Sequence, residues 1–371
     1  MTPWTPRGKE WLAPLIGLLA LLGCLWLGQR GPQQALLSYL FAFVFFTGLS
    51  VGSLALALVH PLTGGAWGFF IRPQVLAAAR TLPLMALLAL PVLLGMHALY
   101  GWTHADALAH DELLRKQSWF LNPTFFVIRT VSYFVLWLLC LWLFTRGVRD
   151  NRRLARIAAP GLIVFALTTL MSTTDWVSSL LPHWHSSTFG MLVAVGWMLA
   201  AMALATLTTL RKMEAEDARH AQLLQDLGNL LLMFVLGWSY LVFMQYLTIW
   251  IADLPAENVW YIPRTLTSWR VLAWFLIALH FLVPFFVLLS RKAKRSRALL
   301  GAIAGMLLLT NLADALWLVV PGFRPNGFAL RWTDLLAPLG IGGLWLCVYL
   351  GQLRMERLPL PEPSREELAH G

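Results

Sequence analysis

The chain has 371 residues, of which 58% are hydrophobic and 12% charged, and its mean hydropathy is +0.67. That balance excludes a soluble domain of this length and gives a polytopic integral membrane protein. The net charge of +10 does not mark nucleic-acid binding, because the basic residues follow a membrane pattern described below.

Crossing a bilayer takes about 20 apolar residues per helix. In chain order the apolar runs predict ten spans, near residues 11–29, 36–59, 81–99, 124–145, 156–180, 188–210, 229–252, 268–290, 298–320 and 334–353. The first run is too long for a signal h-region and nine more follow, so it reads as an uncleaved helix although Leu21, Leu22, Gly23 and Cys24 loosely resemble a lipoprotein cleavage site. Between spans, residues 105–118 and 212–227 read as short amphipathic surface helices. Residues 1–357 form one polytopic unit, and the Pro- and charge-rich tail 358–371 reads as disordered and cytoplasmic. Of the 28 Lys and Arg, 20 fall on the face that carries both termini, which the positive-inside rule makes cytoplasmic. Many of the 19 Trp stand near span ends, where indole favours the interface.

Spans 2–5 and 6–9 start on the same side, and each set ends in a helix with an acidic residue near its outer end, Asp175 and Asp314. This fits two four-helix bundles related as a parallel repeat, flanked by spans 1 and 10. The fold class is therefore all-α integral membrane.

Ionisable side chains inside spans are costly and mark candidate sites. Thr168, Ser172, Asp175 and Ser179 recur on one face of span 5; Ser50, Ser53 and His60 share a face of span 2, and Trp238, Gln245 and Thr248 a face of span 7. Hydrogen bonding between helices accounts for the Ser and Thr. Asp175, Asp314 and Arg129 need neutralisation by a proton, an ion pair or a wet cavity, and an Arg129 ion pair and a protonatable site both stay open. His280 precedes Pro284 by four residues, which predicts a kinked helix with an imidazole beside a freed carbonyl; a proton relay and a histidine bonded between helices both fit. Neither His97 nor His60 offers His280 a haem-ligating mate at matching depth. His183 and His185 lack a third ligand for a metal, and Cys24, Cys140 and Cys347 form no CxxC, so no metal site or covalently attached haem is expected. If the bundles are compact, Arg129, Asp175, His183, His185 and Asp314 converge in the outer third, a cluster suited to a quinone headgroup or to the mouth of a proton path.

The segments HPLTGGAWGFFIRP (60–73), RTLPLMALLALP (80–91), FLNPTFFVIRTVSYFVLW (120–137), DWVSSLLPHW (175–184), DLGNLLL (226–232) and IGGLW (341–345) resemble a large membrane subunit of alternative complex III. That complex is a bacterial quinol:cytochrome c oxidoreductase whose large subunits are related to the NrfD-like anchors of polysulfide reductase. The resemblance is closest to the second quinone-binding-type subunit and covers nearly the whole chain; His185 and the region around Asp253 depart from the pattern. It implies a subunit without a redox centre of its own, not catalytic alone, that supports quinol oxidation and conducts protons in the bacterial cytoplasmic membrane. The partners implied are a sibling ten-span subunit, an iron–sulfur protein, c-type cytochromes and a terminal oxidase, with haem and iron–sulfur clusters confined to them and quinol as the one ligand within reach. The residues carried over are Asp175, His60, Asp226 and His280; His60 and Asp226 stand as a candidate cytoplasmic-side proton path, and Asp175, Arg129, Asp314, His183 and His280 as the candidate quinone or proton site. The alternative is a proton-conducting or small-solute membrane transporter or scaffold without quinone chemistry.

Overall fold

A computed structural model of the chain describes residues 12–29, 31–148, 151–212, 218–324 and 326–355. The tail expected at 358–371 lies outside the described residues. Among the described residues all regular structure is helical, and nine helical stretches are long and apolar enough to cross a membrane. The chain is a multi-pass α-helical membrane protein.

The main helices are α1 (Leu12–Gly28), α2 (Pro32–Thr63), α3 (Ala66–Ala79), α4 (Leu82–Leu88), α5 (Pro123–Gly147), α6 (Asn151–Trp176), α7 (Phe189–Lys212), α8 (Ala218–Ala252), α9 (Arg270–Leu276), α10 (Val283–Leu289), α11 (Arg297–Val319) and α12 (Trp332–Met355). Local chemistry sets their ends. Asn122 caps α5 by accepting the Phe125 amide at 2.8 Å, with Pro123 in the first turn where its missing N–H costs nothing. Ser296 caps α11 in the same way. The α2–α3 reversal runs through Gly64 and Gly65, whose φ values of +70° and +93° are open to glycine and strained for other residues.

Two helices form the interior. In α2, 89% of the most apolar window is buried within the protein and in α7 67%, against 33% in α6 and α8, so α2 and α7 are central and the others stand around them. They meet through Gly48 and Gly52 on α2: a Cβ at either would fall 2.2–2.3 Å from Trp197 of α7. Small residues substitute here for a hydrophobic driving force that lipid does not supply. Around this pair, α2 also packs on α3, α6, α11 and α12, while α7 packs on α6, α8 and α11. The first and last helices, α1 and α12, pair antiparallel through Gly17, Gly340 and Gly343; a Cβ on Gly17 would lie 2.9 Å from the Gly340 carbonyl.

Four sequence expectations change. The third stretch begins at Ala66 rather than 81, because Arg72 and Gln74, which read as loop residues, are buried at 5% and 4% exposure within α3. The expected surface helix at 212–227 is, from Ala218 onward, the first part of α8: no proline interrupts residues 218–229, and the helix runs on through Gly228. Pro284 is accommodated by one turn of π-helix, Ile277–Leu282, between α9 and α10; the wider turn absorbs the amide that proline lacks. The expected surface segment at 105–118 is helical but broken at Asp111, whose carboxylate caps the second piece, Glu112–Gln117.

Candidate functional site

The Arg129–Asp175 pair lies where the outgoing α6 ends against the incoming α5. The guanidinium grips the carboxylate with both prongs, Nε to Oδ2 at 2.9 Å and Nη2 to Oδ1 at 2.7 Å, and Tyr133, one turn along α5, donates to Oδ2 at 2.5 Å. Nη1 donates to the Phe120 carbonyl at 3.0 Å, and the Phe120 and Phe125 rings lie 3.9 and 4.7 Å from the guanidinium carbon. A carboxylate in the last turn of a helix faces the negative end of the dipole, so it needs this compensation. Asp175 is fully buried, and its neighbours complete the seam: Trp176 donates to Thr130 at 3.2 Å and Trp137 to Thr168 at 2.8 Å. Of the two readings left open by the sequence, the geometry here is that of the ion pair, with every strong donor and acceptor used.

Asp314 has different company. It is 6% exposed on α11, and its bond is a long one, 3.4 Å from the Trp238 indole of α8 to Oδ2; among the described residues no cation bonds it. The face of the same indole lies edge-on to His280, ring centroids 4.3 Å apart. His280, in the π-turn and wholly buried, meets Thr310 of α11 through Nδ1 at 2.6 Å. The Thr310 hydroxyl has one proton, which goes either to His280 Nδ1 or to the Met306 or Leu307 carbonyl, at 3.0 and 3.2 Å, so this contact fits either tautomer of the ring. Among the described residues Nε2 is buried without a partner. The polar residues of three elements thus converge on one group, Trp238, His280, Thr310 and Asp314.

At the opposite face His60 sits in the α2–α3 corner. Arg72 Nη2 donates to Nδ1 at 3.2 Å, and since a carbonyl only accepts, Nε2–H donates to Gly65 at 3.0 Å. Both ring nitrogens are therefore engaged, and the imidazole rests on Gly68, where a Cβ would fall 1.8 Å from it. Asp226 is half-buried and bonded to Gln222 of its own helix at 3.0 Å. In the DLGN motif, Asn229 takes Lys294 Nζ at 2.6 Å and Gly228 makes room for the lysine stem, so the motif holds the basic turn 291–295. His60 and Asp226 are not joined by a hydrogen bond.

The expected outer cluster divides. Arg129 and Asp175 form one group and Asp314 with His280 another, whereas His183 is exposed and pairs with Asp111 at 2.7 Å, and His185 with Gln117 at 3.0 Å. These two histidines tie the 105–117 segment to the loop after α6. Among the described residues no group of three or more His, Cys, Asp and Glu is placed to hold a metal ion.

Besides Arg72, sequence reasoning missed two further buried arginines. Arg324 grips Asp334 at 2.7 and 2.8 Å, with Ser38 of α2 donating to Asp334 at 2.6 Å. Arg264, fully buried, donates to the carbonyls of Trp260, Trp317 and Leu318 at 2.7 to 3.2 Å, closing the C-terminal end of α11 just beyond Asp314. Its guanidinium carbon stands 3.5 Å from the Trp260 ring centre, and that ring stacks on Trp184 at 4.2 Å. Both read from sequence as loop charges; the aromatic spacing around Arg264 was the available signal.

No family model matches the chain, and no curated protein matches it at a significant level.

Proposed function

We propose that this chain is a membrane subunit of a bacterial respiratory quinol:cytochrome c oxidoreductase of the alternative complex III type, and that it braces the complex and handles protons at the Asp314–His280 group. On this reading α1 is a tenth span, and the helices form two four-helix units, α2 to α6 and α7 to α11, between the flanking α1 and α12. The packing supports the repeat: α2 meets α3 and α6 as α7 meets α8 and α11. Both termini are then cytoplasmic, and Asp175 and Asp314 lie toward the outer face. The partners are a sibling large subunit, an iron–sulfur protein, c-type cytochromes and a terminal oxidase, which supply the redox centres.

The observation that carries the proton role is the buried Asp314 carboxyl without a cation, next to a histidine whose Nε2 has no partner. A carboxyl in that position is neutralised by a proton and exchanges it with a quinol hydroxyl or a water that reaches the group. Asp175, already held by Arg129 and Tyr133, acts as a brace, which supports the scaffold alternative for the first unit. The test begins with a mild-detergent pull-down of the tagged chain. Recovery with c-type cytochromes, an iron–sulfur protein and a second large membrane subunit is expected; recovery alone and free of haem overturns the respiratory reading. In the recovered complex, Asp314→Asn is expected to keep assembly and lower proton movement by about tenfold or more. Unchanged quinol oxidation and proton movement in both Asp314→Asn and His280→Gln would leave a scaffold without proton chemistry.

A further inference from the structure

Lys294 is a buried cation held by a neutral partner. It is 8% exposed; its Nζ donates to the Asn229 amide oxygen at 2.6 Å, and its stem fills the space that Gly228 leaves. An ammonium has three protons to give, and among the described residues Asn229 alone takes one. Asp226, three residues before Asn229 on α8, is turned to Gln222 of its own helix at 3.0 Å. Burying a charge without an opposite one is costly. A like charge adds to that cost: burial first, and then Arg291, lower the Lys294 ammonium below the usual lysine range.

The surroundings carry the same sign. Residues 290–296 separate α10 from α11, and of these seven four are basic and none acidic. The turn is fixed in place, since Arg295 Nε donates to Gln225 of α8 at 3.0 Å and Lys294 is tied to Asn229. Arg291 and Lys292 are exposed and have no hydrogen bond or ion pair among the described residues. The fold thus gathers Arg291, Lys292 and Lys294 in one turn against their repulsion, and among the described residues it supplies no anion to them. An anion from outside completes such a site. Its source follows from position, because a turn of seven residues between two membrane-spanning stretches stays at the level of the lipid headgroups. Beside it the surface is apolar, with Met233 of α8 and Phe286 and Leu289 of α10 each more than half exposed. A phosphate and acyl chains on adjoining surfaces are the two parts of one phospholipid.

We infer that the 290–296 turn binds the headgroup phosphate of an acidic phospholipid, with Lys294 as its buried contact and Arg291 and Lys292 as its outer ones. The inference depends on the membrane-spanning character of the helices on either side of the turn and not on the quinol reading, so the two can fail separately.

The experiment purifies the full-length chain, with any subunits that accompany it, in mild detergent and follows its melting temperature as phosphatidylglycerol, phosphatidylcholine or inorganic phosphate is added. Phosphatidylglycerol is expected to raise the melting temperature and the other two to leave it unchanged. The concentration of phosphatidylglycerol needed for half the effect is expected to rise about three- to tenfold in Arg291→Gln and in Lys292→Gln, and further in the double variant. Lys294→Gln is expected to abolish the effect; should that variant not fold, the two exposed positions decide. Arg146→Gln, on another turn with its guanidinium over Trp142, serves as the control and is expected to respond as the unaltered chain does. Equal stabilisation by phosphatidylcholine overturns the inference, and equal stabilisation by inorganic phosphate shows a free-anion site and overturns the lipid assignment. An unchanged phosphatidylglycerol response in the double variant, or a loss of the same size in Arg146→Gln, also overturns it.

Discussion

Arg129 and Asp175 each lose their only counter-charge if the other is removed. Breaking a buried pair from one side costs about 3–5 kcal/mol, so Asp175→Asn and Arg129→Gln are each expected to lower the thermal unfolding temperature in detergent by several degrees. Asp314→Asn removes a carboxyl with one long bond and is expected to change stability by less than about 1 kcal/mol. Similar losses for Asp175→Asn and Asp314→Asn would contradict the difference in their surroundings. Gly68→Ala is a second test at this scale: its methyl overlaps the His60 ring, and the ring cannot yield without losing Arg72 or Gly65. Overpacking of this kind costs about 1–3 kcal/mol, to be read from the same melting curves. The Arg129 pair was half legible: the sequence offered an ion pair with one of the aspartates beside a protonatable site, and depth alone did not choose between them. Arg264 and Arg324 were not legible, since nothing in a short loop's sequence says that the loop folds inward over a helix end.

Among the elements, the 105–117 segment gives the clearest pH expectation. Asp111 accepts the Leu113 and Leu114 amides at 3.0 and 3.1 Å and meets His183. The Leu114 amide most of all, then His183, hold its carboxyl below the usual carboxylate range. The folded value lies below the unfolded one, so this contribution is present above the ordinary carboxylate value and is lost as pH falls through the folded one. Hydrogen exchange at Leu113 and Leu114, corrected for intrinsic rates, is expected to stay slow from neutral pH to about pH 4 and to quicken below it. Loss of protection already near neutral pH would contradict control by the Asp111 carboxylate. The helix boundaries show where periodicity stops informing: α3 hides two polar residues inside protein, and α8 begins at Ala218, ahead of the apolar run from 229, because no proline stops it. The π-turn at His280 was half legible, as proline announces a lost hydrogen bond but not how the helix adjusts.

For the molecule as a whole, the basic residues propose an orientation, from a bias that depends on counts over loops and not on contacts. With 20 of 28 on the face that carries the termini, a reporter active only in the cytoplasm is expected to work when fused after Arg354 and to be silent when inserted between Leu254 and Asn258. The reverse result would invert the proposed orientation. Which helices touch was not legible, since depth fixes height in the membrane and says nothing of position around the bundle. The central place of α2 and α7 rests on Gly48, Gly52 and Trp197, a contact made between residues about 150 apart in sequence.

The pairing of α1 with α12 has a consequence for how the protein is made. Gly17 leaves the ribosome early, and its partner Gly340 follows roughly 320 residues later, a wait of about 15 to 65 s at 5–20 residues per second. During that interval α1 is without its principal neighbour, its narrow glycine face uncovered. Gly17→Leu, which prevents the two backbones from closing, holds the finished chain in that open state, and limited proteolysis near residue 30 is expected to report it. The α12 helix is therefore what covers the glycine face of α1, and a chain truncated before Trp332 is expected to leave Gly17 uncovered.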